Sequence, residues 1–106
     1  MPKYLLQASY TAEGSKGILK DGGSKRRQAV EELLTSMGGK VEAFYFGFGE
    51  SDAVAIVEAP DNGTVAAHCL AINASGAVNV KTTVLVTPEE IDAAVKNPLI
   101  YQAPGQ

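Results

Sequence analysis

The stretch KVEAFYFGFGESDAVAIVEAP, from Lys40 to Pro60, restricts what this chain can fold into more than any other. Val41 to Phe48 and Ala53 to Glu58 are rich in aromatic and β-branched residues. Gly49, Glu50, Ser51 and Asp52 between them supply turn chemistry, so the segment reads as a hairpin. In its first strand Phe44, Phe46 and Phe48 share one face while Val41, Ala43 and Tyr45 share the other. Neither face is polar. A strand of a small soluble domain ordinarily alternates core and water, so this hairpin requires cover on both sides.

Composition bounds what can supply that cover. A chain of 106 residues is the size of one domain, residues 1–106, and can bury roughly two-thirds of its unfolded surface. The net charge of -3 and pI near 5.0 lack the clustered cations that give non-specific nucleic-acid affinity, so no nucleic-acid partner is expected. The single cysteine, Cys69, excludes an internal disulfide. It sits in an apolar run, where a buried, inert thiol in a reducing cytoplasm is the expectation. No segment approaches the about 20 apolar residues that span a bilayer, and the N-terminus has no signal-peptide core. A soluble, cytoplasmic protein is expected.

Elsewhere the chain alternates strand and helix signals. Lys3 to Tyr10 reads as a strand with Tyr4, Leu6, Ala8 and Tyr10 on one face and Leu5, Gln7 and Ser9 on the other. Thr11 can cap a short helix through Lys20, which Gly14 and Gly17 should leave turn-rich or frayed at about 1 kcal/mol each. After Gly22 and Gly23, Ser24 is a good N-cap for the main helix, which carries Ala29, Val30, Leu33, Leu34 and Met37 at helical spacing and stops at Gly38 and Gly39. Asp61 or Asn62 caps a second helix covering Val65, Ala66, Cys69, Leu70 and Ile72. Ala77 to Val86 alternates as a strand. Thr87, Pro88, Glu89 and Glu90 open a short last helix by cap, first-turn proline and first-turn acid. The tail from Leu99 reads as an arm or disordered.

The order strand, helix, strand, strand, helix, strand, plus a C-terminal helix, is the split βαβ arrangement of an α+β, ferredoxin-like fold (βαββαβ). Right-handed crossovers place both main helices on one face of an antiparallel sheet with strand order 4-1-3-2, the aromatic strand at an edge. The other face has nothing in the chain to cover it. A second copy, sheet against sheet, is the economical cover, and a homodimer is expected.

The sequence also resembles the GYD domain family, which is similar to dimeric α/β barrel proteins. The blocks PKYLLQASYT, GGSKRR, FYFGFG, Asp52, VEAPD, KTT and LVTPEE carry the resemblance nearly end to end. At the hairpin turn the chain reads GESD, with Ser51 where the family's tyrosine is expected, leaving Gly49 and Asp52 as turn formers. The resemblance implies the fold and the dimer. It brings no activity, cofactor or catalytic residue to transfer.

Three groupings carry candidate chemistry. In GGSKRR, Ser24, Lys25, Arg26 and Arg27 fall in the first turn of a helix, where the macrodipole disfavours cations by about 0.3 to 1 kcal/mol each. An anion held there would reverse that sign. Against this stand solvated side chains paired with Asp21, Glu31 or Glu32, and the ending required of a P-loop is absent. Tyr10, Thr11 and Lys16 near the end of the first strand, with Lys81 and Thr83 on the last, are expected to rim a ligand cavity between sheet and helices. His68 beside Cys69 cannot build a metal site, because adjacent helix residues point about 100° apart. Glu42, Asp52 and Glu58 have turn and cap duties as their plainer reading.

The leading expectation is a small dimeric barrel that binds a small organic molecule, with cofactor-free proton transfer by Tyr10, Lys81 or His68 if it is an enzyme. The alternatives are a non-catalytic module that binds an anionic effector or acts as an oligomeric interaction module, as a homodimer or higher oligomer, and a purely structural protein. Fold alone does not choose among them.

Overall fold

Local signals place the elements close to where the sequence predicts them. The computed structural model describes residues 1–106. They form β1 (Lys3–Tyr10), α1 (Ala12–Asp21), α2 (Gly23–Ser36), β2 (Lys40–Phe46), β3 (Ala53–Glu58), α3 (Asn62–Ala74), β4 (Val78–Leu85) and α4 (Pro88–Ala94). Thr11 caps α1, its hydroxyl accepting from the Gly14 amide. Asp61 rather than Asn62 caps α3, accepting from the Thr64 amide at 2.8 Å. Thr87 and Glu90 close a reciprocal capping box on α4.

Three local expectations are corrected. The first helix is regular rather than frayed, because Gly14 is what lets it approach: a Cβ there would lie 2.1 Å from the Ala77 carbonyl oxygen. Ser24 is not a cap. Gly22, at φ 82°, reverses the chain so tightly that α2 begins two residues earlier, at Gly23, and Ser24 falls within its first turn. The hairpin connection is also longer than a tight turn, running from residue 47 to 52, so Phe48 lies outside the strand and is fully exposed.

The sheet is antiparallel with order β2-β3-β1-β4, the order of the ferredoxin-like arrangement. Cross-strand partners share a face. Tyr4, Leu6 and Ala8 lie opposite Val57, Ala55 and Ala53 on the side that α2 and α3 cover. Leu5 and Gln7 lie opposite Ile56 and Val54 on the other side. In β2 the register shifts between Val41 and Ala43, a bulge at Glu42. It carries Val41 onto the helix side with Phe44, against the simple alternation read from the sequence, and both pack on the core. That core is Tyr4, Leu34, Ala55, Val57, Ala59 and Val65. Tyr4 is buried, its hydroxyl donating to Asn62 Oδ1 at 2.6 Å, and burial followed by the Asp61 carboxylate pushes its phenol up from the ordinary value.

The C-terminal region behaves differently. Every residue from Pro88 to Gln102 is exposed, Ile91, Val95, Leu99, Ile100 and Tyr101 among them. A helix of this length has marginal stability without packing. The chain's radius of gyration is 16.9 Å, against about 13 Å for a compact chain of this length. No helix is long and apolar enough to cross a membrane.

Candidate functional site

Helices α2 and α3 stand apart over the middle of the sheet and leave a cavity of about 410 Å³ between them. Its floor includes Leu6, Ala8, Ala53 and Ala55, and its walls include Ala29, Val30 and Leu33 of α2 with Cys69 and Ile72 of α3. The space follows from the sequence: alanines sit at the strand positions facing both helices, where larger side chains would fill the gap. The volume is in the range of small-ligand pockets, and like them this one is mostly apolar with a few polar groups. Those groups include Tyr10, Arg26, His68 and Ser75. The Cys69 thiol is half-buried and lies 3.0 Å from the Thr82 hydroxyl.

The basic run does not act as one cluster. Lys25 and Arg27 point to solvent and pair with Asp21 at 3.6 Å and Glu31 at 3.9 Å, the plainer of the two readings of these residues. Ser24 is exposed. Arg26 differs from its neighbours: it is half-buried, forms no ion pair, lines the cavity, and its buried Nε has no hydrogen-bond partner in the protein. The signal was present in the sequence. Arg26 lies three and four residues before Ala29 and Val30, so it is the first member of the apolar stripe of α2 rather than part of a charged turn.

The second grouping is divided by the sheet. Tyr10 pairs with Val78 and lies at one end of the cavity, while Lys81 pairs with Gln7 and Thr83 with Leu5, both on the open face. Lys81 therefore does not approach Tyr10, because strand alternation sends the two to opposite sides. The Thr11 hydroxyl donates to the Gly76 or Ala77 carbonyl, at 2.9 and 3.2 Å, and also caps α1, so it serves the fold. Lys16 is exposed on α1. The structure thus brings Tyr10 to the cavity with Arg26 and His68, and leaves Lys16, Lys81 and Thr83 outside it.

The other polar candidates have structural partners. Asp52 joins the hairpin to β1: its amide donates to the Ala8 carbonyl and its carboxylate accepts from the Tyr10 amide, both at 2.8 Å. Glu58 pairs with Lys40 at 3.2 Å. Glu42 accepts a hydrogen bond from Lys3, and chiefly this contact holds the Lys3 ammonium above its ordinary pKa. His68 Nδ1 lies 2.9 Å from the Thr64 carbonyl, which can only accept, so Nδ1 is the donor of that hydrogen bond.

A second surface is as distinctive as the cavity. The open sheet face centres on Leu5, Val54 and Ile56, flanked by Ala43, Tyr45 and Leu85. Gln7 on the interior strand β1, and Lys81 and Thr83 on the edge strand β4, are its polar members on that side. No helix of the chain covers it, since α2 and α3 pack on the opposite side and α4 buries no residue. The chain exposes 7381 Å², where a compact monomer of 11.1 kDa exposes roughly 5,700 Å².

Comparison with known proteins agrees with the expected family. A protein of Thermus thermophilus, named glutamine synthetase and cystathionine beta-lyase binding protein, is 28% identical over 96 residues, covering 91% of this chain and all of that protein. No solved structure matches the chain. The profile of the GYD domain matches residues 4–95, nearly all of the α+β sheet, its covering helices and α4, and on that match the chain belongs to the GYD domain family.

Proposed function

We propose that the protein is a cytosolic, homodimeric interaction module, one domain per chain, that binds partner enzymes rather than catalysing a reaction. The observation that carries the dimer is the surplus of surface. Relative to a compact monomer, the chain exposes an excess about twice the 800 Å² or so that each partner contributes to a standard interface. The half-buried apolar sheet face with exposed Tyr45, and the exposed arm from Pro88 to Tyr101, contribute to that excess. Two sheets meeting face to face would close an α/β barrel of the kind the family resembles, with the helices outside. A lone, half-buried thiol suits the cytosol.

The interaction role is supported by the Thermus relative, whose name describes binding to two enzymes. Catalysis has less support, because Lys81 lies across the sheet from Tyr10 and the cavity is mostly apolar. We read the cavity as a binding site for a small molecule, a second role beside the interface. The test is native mass spectrometry of the protein from its host, followed by co-purification with the host's glutamine synthetase and cystathionine beta-lyase. A dimer retaining either enzyme is the expected result. A monomer at micromolar concentration would overturn the dimer, and a dimer with neither enzyme would overturn the adaptor role.

A further inference from the structure

We infer that the cavity between α2 and α3 is a receptor for an apolar monoanion, an aliphatic or aromatic carboxylic acid, anchored by Arg26. The inference rests on the reading of that cavity as a binding site and names its ligand class. Arg26 is the charged side chain on its wall, so the sign of a charged ligand is set. The guanidinium enters from the first turn of α2 as the opening member of an otherwise apolar stripe, and its buried Nε is unmatched within the protein. Burying such a donor without a partner is unfavourable, and a carboxylate satisfies it by the forked, charge-assisted bonds that guanidinium geometry favours.

Position adds to this. The carboxylate would lie near the N-terminal end of α2, where helix polarity favours negative charge and opposes the arginine left alone. Lys25 and Arg27 flank Arg26 in sequence but pair with Asp21 and Glu31 outside the cavity, so Arg26 is the one Lys or Arg that lines it. Beyond it the alanine floor and the walls of Val30, Leu33 and Ile72 offer apolar contact and no further charge. A polyanion such as a nucleotide would find one guanidinium and an apolar slot. A fatty or aromatic acid finds one cation and a place for its chain.

The test is calorimetric titration of the intact protein with octanoate and, separately, with 1-octanol, which has the same chain without the charge. Wild type is expected to bind octanoate more tightly than octanol. Arg26→Gln should weaken octanoate by about 10- to 100-fold, the loss of a hydrogen bond to a charged group, and leave octanol nearly unchanged. Arg26→Lys should restore part of the difference. Ala29→Phe, at an exposed wall position, should weaken both ligands by narrowing the cavity. Circular dichroism of each variant verifies that it is folded. If both ligands bind equally in wild type and Arg26→Gln, the acid assignment falls and the cavity stands as an apolar site. If neither binds, the binding-site reading falls with it.

Discussion

The helix side of the sheet presents Ala8, Ala53 and Ala55 beneath α2 and α3, whereas the open side presents Leu5, Val54 and Ile56 with no element above them. Burial within one chain explains neither the alanine gap on the covered side nor the large apolar residues on the open one. The covered side does hold large residues, Tyr4, Leu6 and Val57 among them, but three alanines leave a gap there, while the open side keeps large residues where the chain supplies no cover. On the helix side the missing volume becomes a cavity with a single guanidinium in it. On the open side the surplus apolar area is the surface proposed to meet another protein. The two proposed roles thus divide between the faces of one sheet, shape and charge at small scale on one, extended apolar contact on the other.

The largest effect is expected at the open face. Ile56→Glu would place a carboxylate in the centre of the proposed interface, where uncompensated burial of a charge costs several kcal/mol and weakens association by at least about 100-fold. Light scattering after size exclusion should then show a monomer. A mass unchanged from wild type would mean that this face remains in water, where such a change has an effect within about 0.5 kcal/mol on stability.

On the helix side, Gly14→Ala separates local preference from packing. Alanine is favoured in a helix by about 1 kcal/mol, yet here its Cβ would meet the Ala77 carbonyl oxygen at 2.1 Å. A net loss of roughly 1 to 3 kcal/mol in urea unfolding is expected from overpacking against backbone. A gain in stability would show that α1 is not held against the start of β4.

The smallest effect concerns the cap of α3, one of the two helices over the cavity. The Thr64 amide bonded to Asp61 holds its carboxyl below the ordinary 3.8. A depressed folded-state pKa contributes stability that is present above the unfolded value and lost as pH falls through the folded one. Asn also caps but does not titrate. Wild type should therefore lose more melting temperature than Asp61→Asn on acidification below pH 3.8, and equal losses would show that the charge contributes nothing.

Most of the architecture was legible because its signals are local. The strand Lys3–Tyr10, the caps at Thr11 and Thr87 and the strand Ala53–Glu58 rest on neighbours a few residues away, and the structure places them as read. Ser24 misled because a serine before a helix is a cap only if the chain turns there, and Gly22 turned it first. The site was legible in pieces. Arg26 and Tyr10 were each singled out, but in separate groupings, since nothing local says that the start of α2 and the end of β1 share one cavity.

The hairpin states the division most clearly. By itself the sequence determined that Lys40 to Pro60 would pair as two strands and that their sheet would have two apolar faces, because periodicity and turn chemistry are properties of adjacent residues. Tertiary structure alone decided which residue meets which face. The bulge at Glu42 moved Val41 to the core, the register of β1 against β4 put Lys81 across the sheet from Tyr10, and the helical turn aimed Arg26 inward while its neighbours faced solvent. Each of these depends on register between distant segments, and a shift of one residue exchanges the faces of a strand.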